Sequence, residues 1–185
     1  MDLADHLPLS HRRTVDETGV SSDWSASAAD VLREFAALLD HTTTDAPTRP
    51  ADSTDPTGSA AVQALAQATL ARLGRPTDPH TAIDATVLRS AADELEASSA
   101  RVRVEALGES LAELVLAGRA ADVPVRIDPV AAGAAVLARA LSGPSRIRGL
   151  VRGRTLVATD GDWRLGSGSV LERSCAEFLL LLYRS

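Results

Sequence analysis

Hydrophobic side chains recur every three or four residues in four segments before residue 120, and this spacing predicts four amphipathic helices. Each segment carries a single apolar stripe, so the pattern favours an up-down helical bundle over residues 23–120. The predicted helices span residues 24–40, 60–73, 82–97 and 104–117.

Two stretches lack this helical pattern. Residues 1–22 are polar and mixed, and we expect a flexible N-terminal segment there. Residues 41–59 contain three prolines and many Thr, Ser and Asp residues, which cannot bury enough apolar area to order the chain. A flexible loop inside the bundle is therefore predicted.

Extended segments and helices follow one another after residue 120. Residues 123–127 are short and extended, and Asp128 followed by Pro129 predicts the capped start of a helix that runs to residue 141. Four apolar residues share one side of that helix: Val130, Ala134, Leu137 and Leu141.

Three strands and a closing helix are predicted beyond this point. Residues 146–151 and 155–159 alternate between apolar and polar positions, which is typical of a β-hairpin around an Arg-Gly-Arg tip. A third strand covers residues 163–165, and the glycines at 166 and 168 favour a tight turn over a phosphate-binding loop. Cys175–Tyr183 is apolar enough to be a buried helix. The sequence thus predicts an α+β fold, in which an N-terminal helical bundle precedes a small α/β domain at 121–185.

Charge and composition narrow the class of function. The net charge of −6 and the pI of about 5.2 predict repulsion from nucleic acid and from anionic membranes. The first residues do not combine a basic start with an apolar run, and no stretch reaches the ~18 apolar residues that a bilayer span needs. We therefore expect a cytoplasmic protein that binds neither nucleic acid nor membranes.

The cysteine and lysine counts are also informative. Cys175 is the one cysteine in the sequence, which excludes an internal disulfide and a cysteine-built zinc site. Its place at a helix start would suit a reactive thiol, but a buried residue that acts as a small hydrophobe is favoured. All 19 basic residues are arginine, in agreement with a high-GC, actinobacterial origin.

Four short motifs occur in a fixed order in the C-terminal part of the chain: ELVLA at 113–117, DPV at 128–130, ATDGDW at 158–163 with Gly166 and Gly168, and CAEFLLLL at 175–182. In this order and spacing, residues 110–185 resemble the corresponding part of the mycothiol-dependent maleylpyruvate isomerase family. The resemblance implies a damage-inducible-type four-helix bundle followed by a sterol-carrier-like C-terminal domain.

The family's catalytic metal site is only partly matched. Its members hold a divalent metal such as zinc with a Glu and a His one turn apart, plus a His from an earlier helix. The resemblance places Glu113 at the Glu position, but Ala117 stands at the first His position and Glu34 at the second. Carboxylates alone bind zinc loosely. The competing interpretation of Glu113 is a solvated carboxylate on a helix face.

The histidines offer little to replace the missing ligands. All four, His6, His11, His41 and His80, lie in a predicted tail, loop or turn, where exposed polar histidine is the usual case. His41 directly follows the first predicted helix and is near enough to reach the bundle mouth. An enzymatic interpretation therefore requires Glu113, Glu34 and His41 as metal ligands.

A cluster of arginines is the other candidate site. Arg139, Arg146, Arg148, Arg152 and Arg154 occur in a run with no acidic residue between Pro129 and Thr159. The last four predict a basic hairpin that binds a small anionic ligand or an acidic protein surface. Nucleic acid is disfavoured because no aromatic residues interleave with the arginines. The alternative is a solvated sheet face whose charges discourage edge pairing.

Two functions from different classes remain. The missing histidines favour a divergent, metal-free binding module for a small ligand or a protein partner. The alternative is a metal- and mycothiol-dependent isomerase or transferase with an altered ligand set. A third possibility is that the resemblance reflects only structural drift, in which case residues 41–59 would link two unrelated pieces. A homo-oligomeric state also remains possible.

Overall fold

Seven helices and three strands form the part of the chain that the computed structural model describes, which is residues 23–44, 56–76 and 82–184. The α+β fold class is confirmed, since the helices precede a small sheet. In chain order the elements are α1 (Ser25–Thr44), α2 (Pro56–Arg72), α3 (Ala85–Ala97), α4 (Val104–Ala121), α5 (Pro129–Ser142), α6 (Ser145–Val151), β1 (Arg154–Ala158), β2 (Arg164–Gly166), β3 (Ser169–Arg173) and α7 (Cys175–Tyr183).

The first four helices pair differently from an up-down bundle. α1 packs mainly against α3, and α2 packs mainly against α4, while the sequence neighbours α2 and α3 share little contact in the described ranges. α4 is the central helix, because it also contacts α1, α5 and α7. The up-down arrangement predicted from the sequence is therefore wrong. An apolar stripe shows which face of a helix is buried, but it does not show which helix covers that face.

Side chains at the helix starts explain where several helices begin. The carboxylate of Asp84 accepts the backbone N–H of Val87 at the start of α3. Asp128 accepts N–H groups from the first turn of α5, as the Asp-Pro pair predicts. Ser174 and Glu177 form a reciprocal capping box at the start of α7.

The two ends of the loop predicted at 41–59 do not have the predicted structure. α1 continues to Thr44 and α2 begins at Pro56, so both ends of the predicted loop are helical. Proline is well tolerated in a first helical turn, because its missing N–H would have no partner there. Residues 45–55, the N-terminal segment 1–22 and His80 lie outside the described residues.

The predicted β-hairpin is wrong in its first strand. Ser145–Val151 is the helix α6, in which Ile147 is buried and Leu150 and Val151 are half-buried. These three residues have helical spacing, but in so short a run they also fit an alternating pattern. The Arg-Gly-Arg segment therefore links a helix to β1 and is not a hairpin tip.

The sheet has the strand order β2-β1-β3, with β1 antiparallel to β2 and parallel to β3. Ser167 and Gly168 carry the chain from β2 to β3 across the start of β1. Gly166 and Gly168 have φ values of 91° and 124°, and a Cβ atom on either would overlap a backbone carbonyl of Gly153 or Arg154. The tight turn is confirmed, but it joins two strands and not the predicted strand and helix, because β3 was not predicted.

The bundle and the C-terminal elements share one hydrophobic core. Buried side chains from α1 to α4 form a single cluster with those of α5, β1 and α7. Phe178 of α7 packs against Trp163 with ring centroids 5.4 Å apart, and Trp163 lies against Gly133 of α5. Among the helices described, none has both the length and the hydropathy to cross a membrane.

Tyr183 at the end of α7 provides a test of this packing. Its hydroxyl donates to the carbonyl of Ala135 at 2.9 Å, and a Cβ atom at Gly108 would overlap that hydroxyl. We expect Gly108→Ala to lower the free energy of unfolding by about 1–3 kcal/mol in urea denaturation.

Gly149→Ala is the matched control, because a Cβ atom on that α6 glycine meets nothing within 4 Å. We expect no loss of stability there, and a gain of up to about 1 kcal/mol. Equal destabilisation by both substitutions would contradict this account of Tyr183.

Candidate functional site

The carboxylate of Glu113 is buried in the middle of α4, with a relative exposure of 4%. One of its oxygens accepts the hydroxyl of Thr69 at 2.7 Å and forms an ion pair with Arg72. The other lies 3.2 Å from the guanidinium of Arg184. The interpretation of Glu113 as a solvated surface carboxylate is therefore wrong.

Two separate segments, α2 and the residue after α7, bring these partners to Glu113. Thr69 and Arg72 are three residues apart on α2, so both side chains project from one face toward α4. Arg184 directly follows α7. A buried carboxylate is costly unless it is paired and hydrogen-bonded. Here one oxygen is hydrogen-bonded by Thr69 and ion-paired with Arg72, and the other is ion-paired with Arg184. We call Thr69, Arg72, Glu113 and Arg184 the Glu113 cluster.

A second acid on α4 extends this network toward α5. Glu109 lies 3.6 Å from Arg184 and 3.9 Å from Arg139. Arg139 also donates from Nε to the carbonyl of Leu182 at 3.1 Å and lies 4.9 Å from the ring centroid of Tyr183. Arg139 therefore belongs to this network, and its charge is directed at α4 and α7.

The three residues proposed as metal ligands lie in different surroundings. Glu34 accepts the backbone N–H of Arg126 at 3.2 Å, and His41 is exposed near the end of α1. Within the described ranges no three His, Cys, Asp or Glu side chains are grouped so that they could hold a metal ion. The structure thus does not bring Glu34, His41 and Glu113 together.

A cleft of about 480 Å³ lies between α1 and the segment that leads into α5. Its charged lining is mixed and includes Asp30, Arg33, Glu34 and Arg126. Arg33 is already engaged, because it pairs with Asp30 and with two acids of α3. This hydrogen bonding raises the pKa of Arg33, so its charge stays fixed. The cleft therefore has no strong preference for an anion or a cation.

The arginine surface, which we define as Arg146, Arg148, Arg152 and Arg154, is exposed along its whole length. Two of these residues lie on α6, one ends it and one begins β1. Across the described residues, no carboxylate lies within ion-pair distance of any of the four. These side chains are thus available to a partner.

Cys175 is buried at the first turn of α7. Its backbone N–H donates to the carboxylate of Asp160 at 2.7 Å. Burial first, then the hydrogen bond between the thiol and Asp160, and then the negative charge of that carboxylate raise the pKa of the thiol to about 12. The interpretation of Cys175 as a buried hydrophobe is confirmed, and its thiol is poorly suited to nucleophilic chemistry at neutral pH.

Comparisons of the chain with protein-family models, curated proteins and solved structures gave no match. The resemblance to the isomerase family therefore stays a prediction from sequence. Its motifs have structural roles in this chain: Asp128 caps α5, Asp160 binds the start of α7, Trp163 packs on Gly133, and Gly166 and Gly168 allow the strand crossing.

The partners of Glu113 were not identified from the sequence. No local sequence pattern connects Thr69, Arg72 or Arg184 with Glu113. The separation along the chain is 44 residues for Thr69 and 41 for Arg72. A signal for such a pairing exists only in the folded arrangement of α2, α4 and α7.

We expect Glu113→Ala to lower the free energy of unfolding by about 2–4 kcal/mol, because it leaves two arginines without their shared carboxylate. The estimate lies at the lower end of the range for buried pairs, since the side chains of Arg72 and Arg184 are 28% and 31% exposed. Thermal and urea denaturation measure the change. Glu172→Ala, at an exposed position on β3, is the control and should shift stability by less than about 0.5 kcal/mol. Similar losses in both variants would contradict the cluster's structural role.

Native protein should react slowly with a thiol-specific disulfide reagent at pH 8, because the pKa of Cys175 is raised to about 12 and almost no thiolate is present. Reactivity should rise with pH as this value is approached, and urea should release a fast reaction typical of an ordinary thiol with a pKa near ~8.5. The absorbance of the thiol that the reagent releases measures the rate. Fast, stoichiometric labelling of the folded protein at pH 8 would contradict the assignment.

Proposed function

We propose that this protein is a metal-free binding module that docks on an acidic protein surface through its arginine surface. The observation that carries the proposal is four exposed arginines within residues 146–154, none of them paired with a carboxylate of the described chain. The surrounding run, from Pro129 to Thr159, contains no acidic residue.

The chemistry of these side chains suits carboxylate recognition. A guanidinium group offers a planar fork of donors that matches a carboxylate, often with two parallel hydrogen bonds. Because the four arginines form no ion pair with the described residues, a partner would not have to break such a pair on binding. On a chain with a net charge of −6, a local basic surface would also orient an acidic partner during approach.

Exposure favours a macromolecular partner over a small anion. Small-molecule sites are usually concave and enclose most of the ligand. The described cleft between α1 and α5 contains none of the four arginines. Nucleic acid is disfavoured, because residues 146–154 include no aromatic side chain on which a base would stack.

The Glu113 cluster supports the metal-free part of the proposal. Glu113 is the one residue that matches the family's ligand pattern, and its carboxylate is engaged by Thr69, Arg72 and Arg184. A metal ion at this position would have to displace two guanidinium groups. The cluster therefore supports a structural role for Glu113, in which it joins α2 and the end of α7 to α4.

Binding of a fluorescent poly-glutamate peptide, followed by anisotropy at low and at physiological salt, tests the proposal. Replacing all four arginines of the surface with Gln should weaken binding at least about tenfold, because several charge-assisted contacts are lost together. The charge-matched control replaces four other exposed arginines that form no ion pair in the described chain: Arg101, Arg103, Arg119 and Arg126. It should weaken binding less than about threefold, through the change in net charge alone.

Two results would contradict the proposal. Equal loss of binding in the two quadruple variants would show that net charge, and not the arginine surface, governs the interaction. Elemental analysis of untagged protein is the second test. One zinc per chain that resists dialysis, disappears in Glu113→Ala and persists in Glu105→Ala would favour a metal site of the isomerase type.

A further inference from the structure

Helix α5 presents its larger apolar side chains to solvent. Val130, Leu137 and Leu141 are 69%, 42% and 71% exposed, and Ala134 between them is half-buried. The opposite side of the helix, which faces the core, consists mostly of small residues: Ala131, Ala132, Gly133, Ala135 and Val136. The four apolar residues do share one side of the helix, as the sequence predicts, but that side faces solvent. We call Val130, Ala134, Leu137 and Leu141 the α5 stripe.

The spacing of the α5 stripe is the same in both directions along the helix. Its members are separated by four, three and four residues. Two copies of α5 placed antiparallel about a two-fold axis would therefore align Val130 with Leu141, and Ala134 with Leu137. The side chain of Leu137 then faces the smaller side chain of Ala134, and the side chain of Leu141 faces that of Val130. Such self-complementarity is what an isologous dimer interface requires.

The charges at the two ends of α5 favour the same arrangement. Asp128 caps the N-terminal end, and Gly161 lies against Pro129, which brings the Asp160–Asp162 turn to that end as well. The C-terminal end leads within a few residues into Arg146 and Arg148 of α6. In the antiparallel register, Asp128 of one copy lies opposite residue 143 of the other. Each acidic end is then next to an arginine end, and the helix dipoles also oppose favourably.

We propose that the α5 stripe is the contact surface of a symmetric, antiparallel homodimer of this chain. The inference deepens the proposed function and rests on it in one respect, because it names a second copy as the acidic partner of Arg146 and Arg148. The stripe itself is an independent observation. One face of the 14-residue helix α5, about 21 Å long and about 10 Å wide, has an area of about 210 Å². This is small beside the roughly 800 Å² per partner of standard interfaces, so the dimer should be reversible.

Sedimentation equilibrium of the full chain over a range of about 5 to about 500 µM tests the dimer, since a reversible interface responds to concentration. The mass should rise from 19.3 kDa toward twice that value. Leu137→Glu should raise the dimer dissociation constant at least about tenfold, because it places a charge at the centre of the apolar contact.

Val170→Glu is the matched control, since Val170 is 54% exposed on β3, outside the α5 stripe. It should leave the dissociation constant within about twofold. A chain that stays monomeric at every concentration overturns the proposal and leaves the stripe to another occupant. A dimer that survives Leu137→Glu, or that is lost equally in Val170→Glu, also overturns it.

Cross-linking tests the antiparallel register. Protein with Ala134→Cys, mixed with protein that carries Leu137→Cys, should form a mixed disulfide under mild oxidation, because the two positions face each other in that register. Cys175 is buried and does not compete. A pairing of Ala134→Cys with Val170→Cys should not cross-link. Equal cross-linking of both pairs would exclude the proposed register.

The two proposals fail in distinguishable ways. Leu137→Glu leaves the arginine surface intact, so loss of the dimer with retained poly-glutamate binding supports both. A dimer with no poly-glutamate binding would overturn the general acidic-partner function but keep the stripe contact. Poly-glutamate binding by a chain that never dimerises would keep the proposed function and overturn this inference.

Discussion

The burial of one carboxylate is the constraint on which much of this structure depends. Glu113 is buried in α4, which contacts α1, α2, α5 and α7, and a charge there is tolerated only with partners that neutralise it. Those partners come from α2 and from the residue after α7, which are far apart in the chain. The carboxylate therefore fixes how the first helices and the last one lie against α4. Glu109 and Arg139 continue the same network to α5.

This constraint also shapes the functional interpretation. A carboxylate that already holds two arginines supports the proposed structural role of Glu113 over a metal site of the isomerase type. Two further features lie on the outside of the C-terminal elements: an arginine surface that forms no ion pair with the described residues, and an apolar helix side. Both support the proposed recognition of another protein surface, and they are close along the chain because two residues separate α5 from α6.

The sequence predicted the helices well because their signals are local. Apolar periodicity located α1 to α5, and the Asp-Pro and apolar patterns placed the starts of α5 and α7. Features that depend on distant residues were missed. The pairing of α1 with α3, the strand β3 and the partners of Glu113 all arise from contacts between separate segments.

Residues 146–151 were assigned to a strand because six residues are too few to distinguish a helical period from an alternating one. Among the candidate site residues, the four arginines were identified from the sequence, but the helix that carries Arg146 and Arg148 was not.

A double-mutant cycle on Glu113 and Arg72 measures how strongly this ion pair holds α2 against α4. Unfolding free energies of Glu113→Gln, Arg72→Met and the double variant give the coupling between the two side chains, with the exposed pair Arg75–Glu94 as a reference cycle. We expect a coupling of at least about 1.5 kcal/mol for the buried pair and less than about 0.5 kcal/mol for the exposed one. Additive effects at Glu113 and Arg72, within the error of the exposed cycle, would contradict the claim that this ion pair holds the helices together.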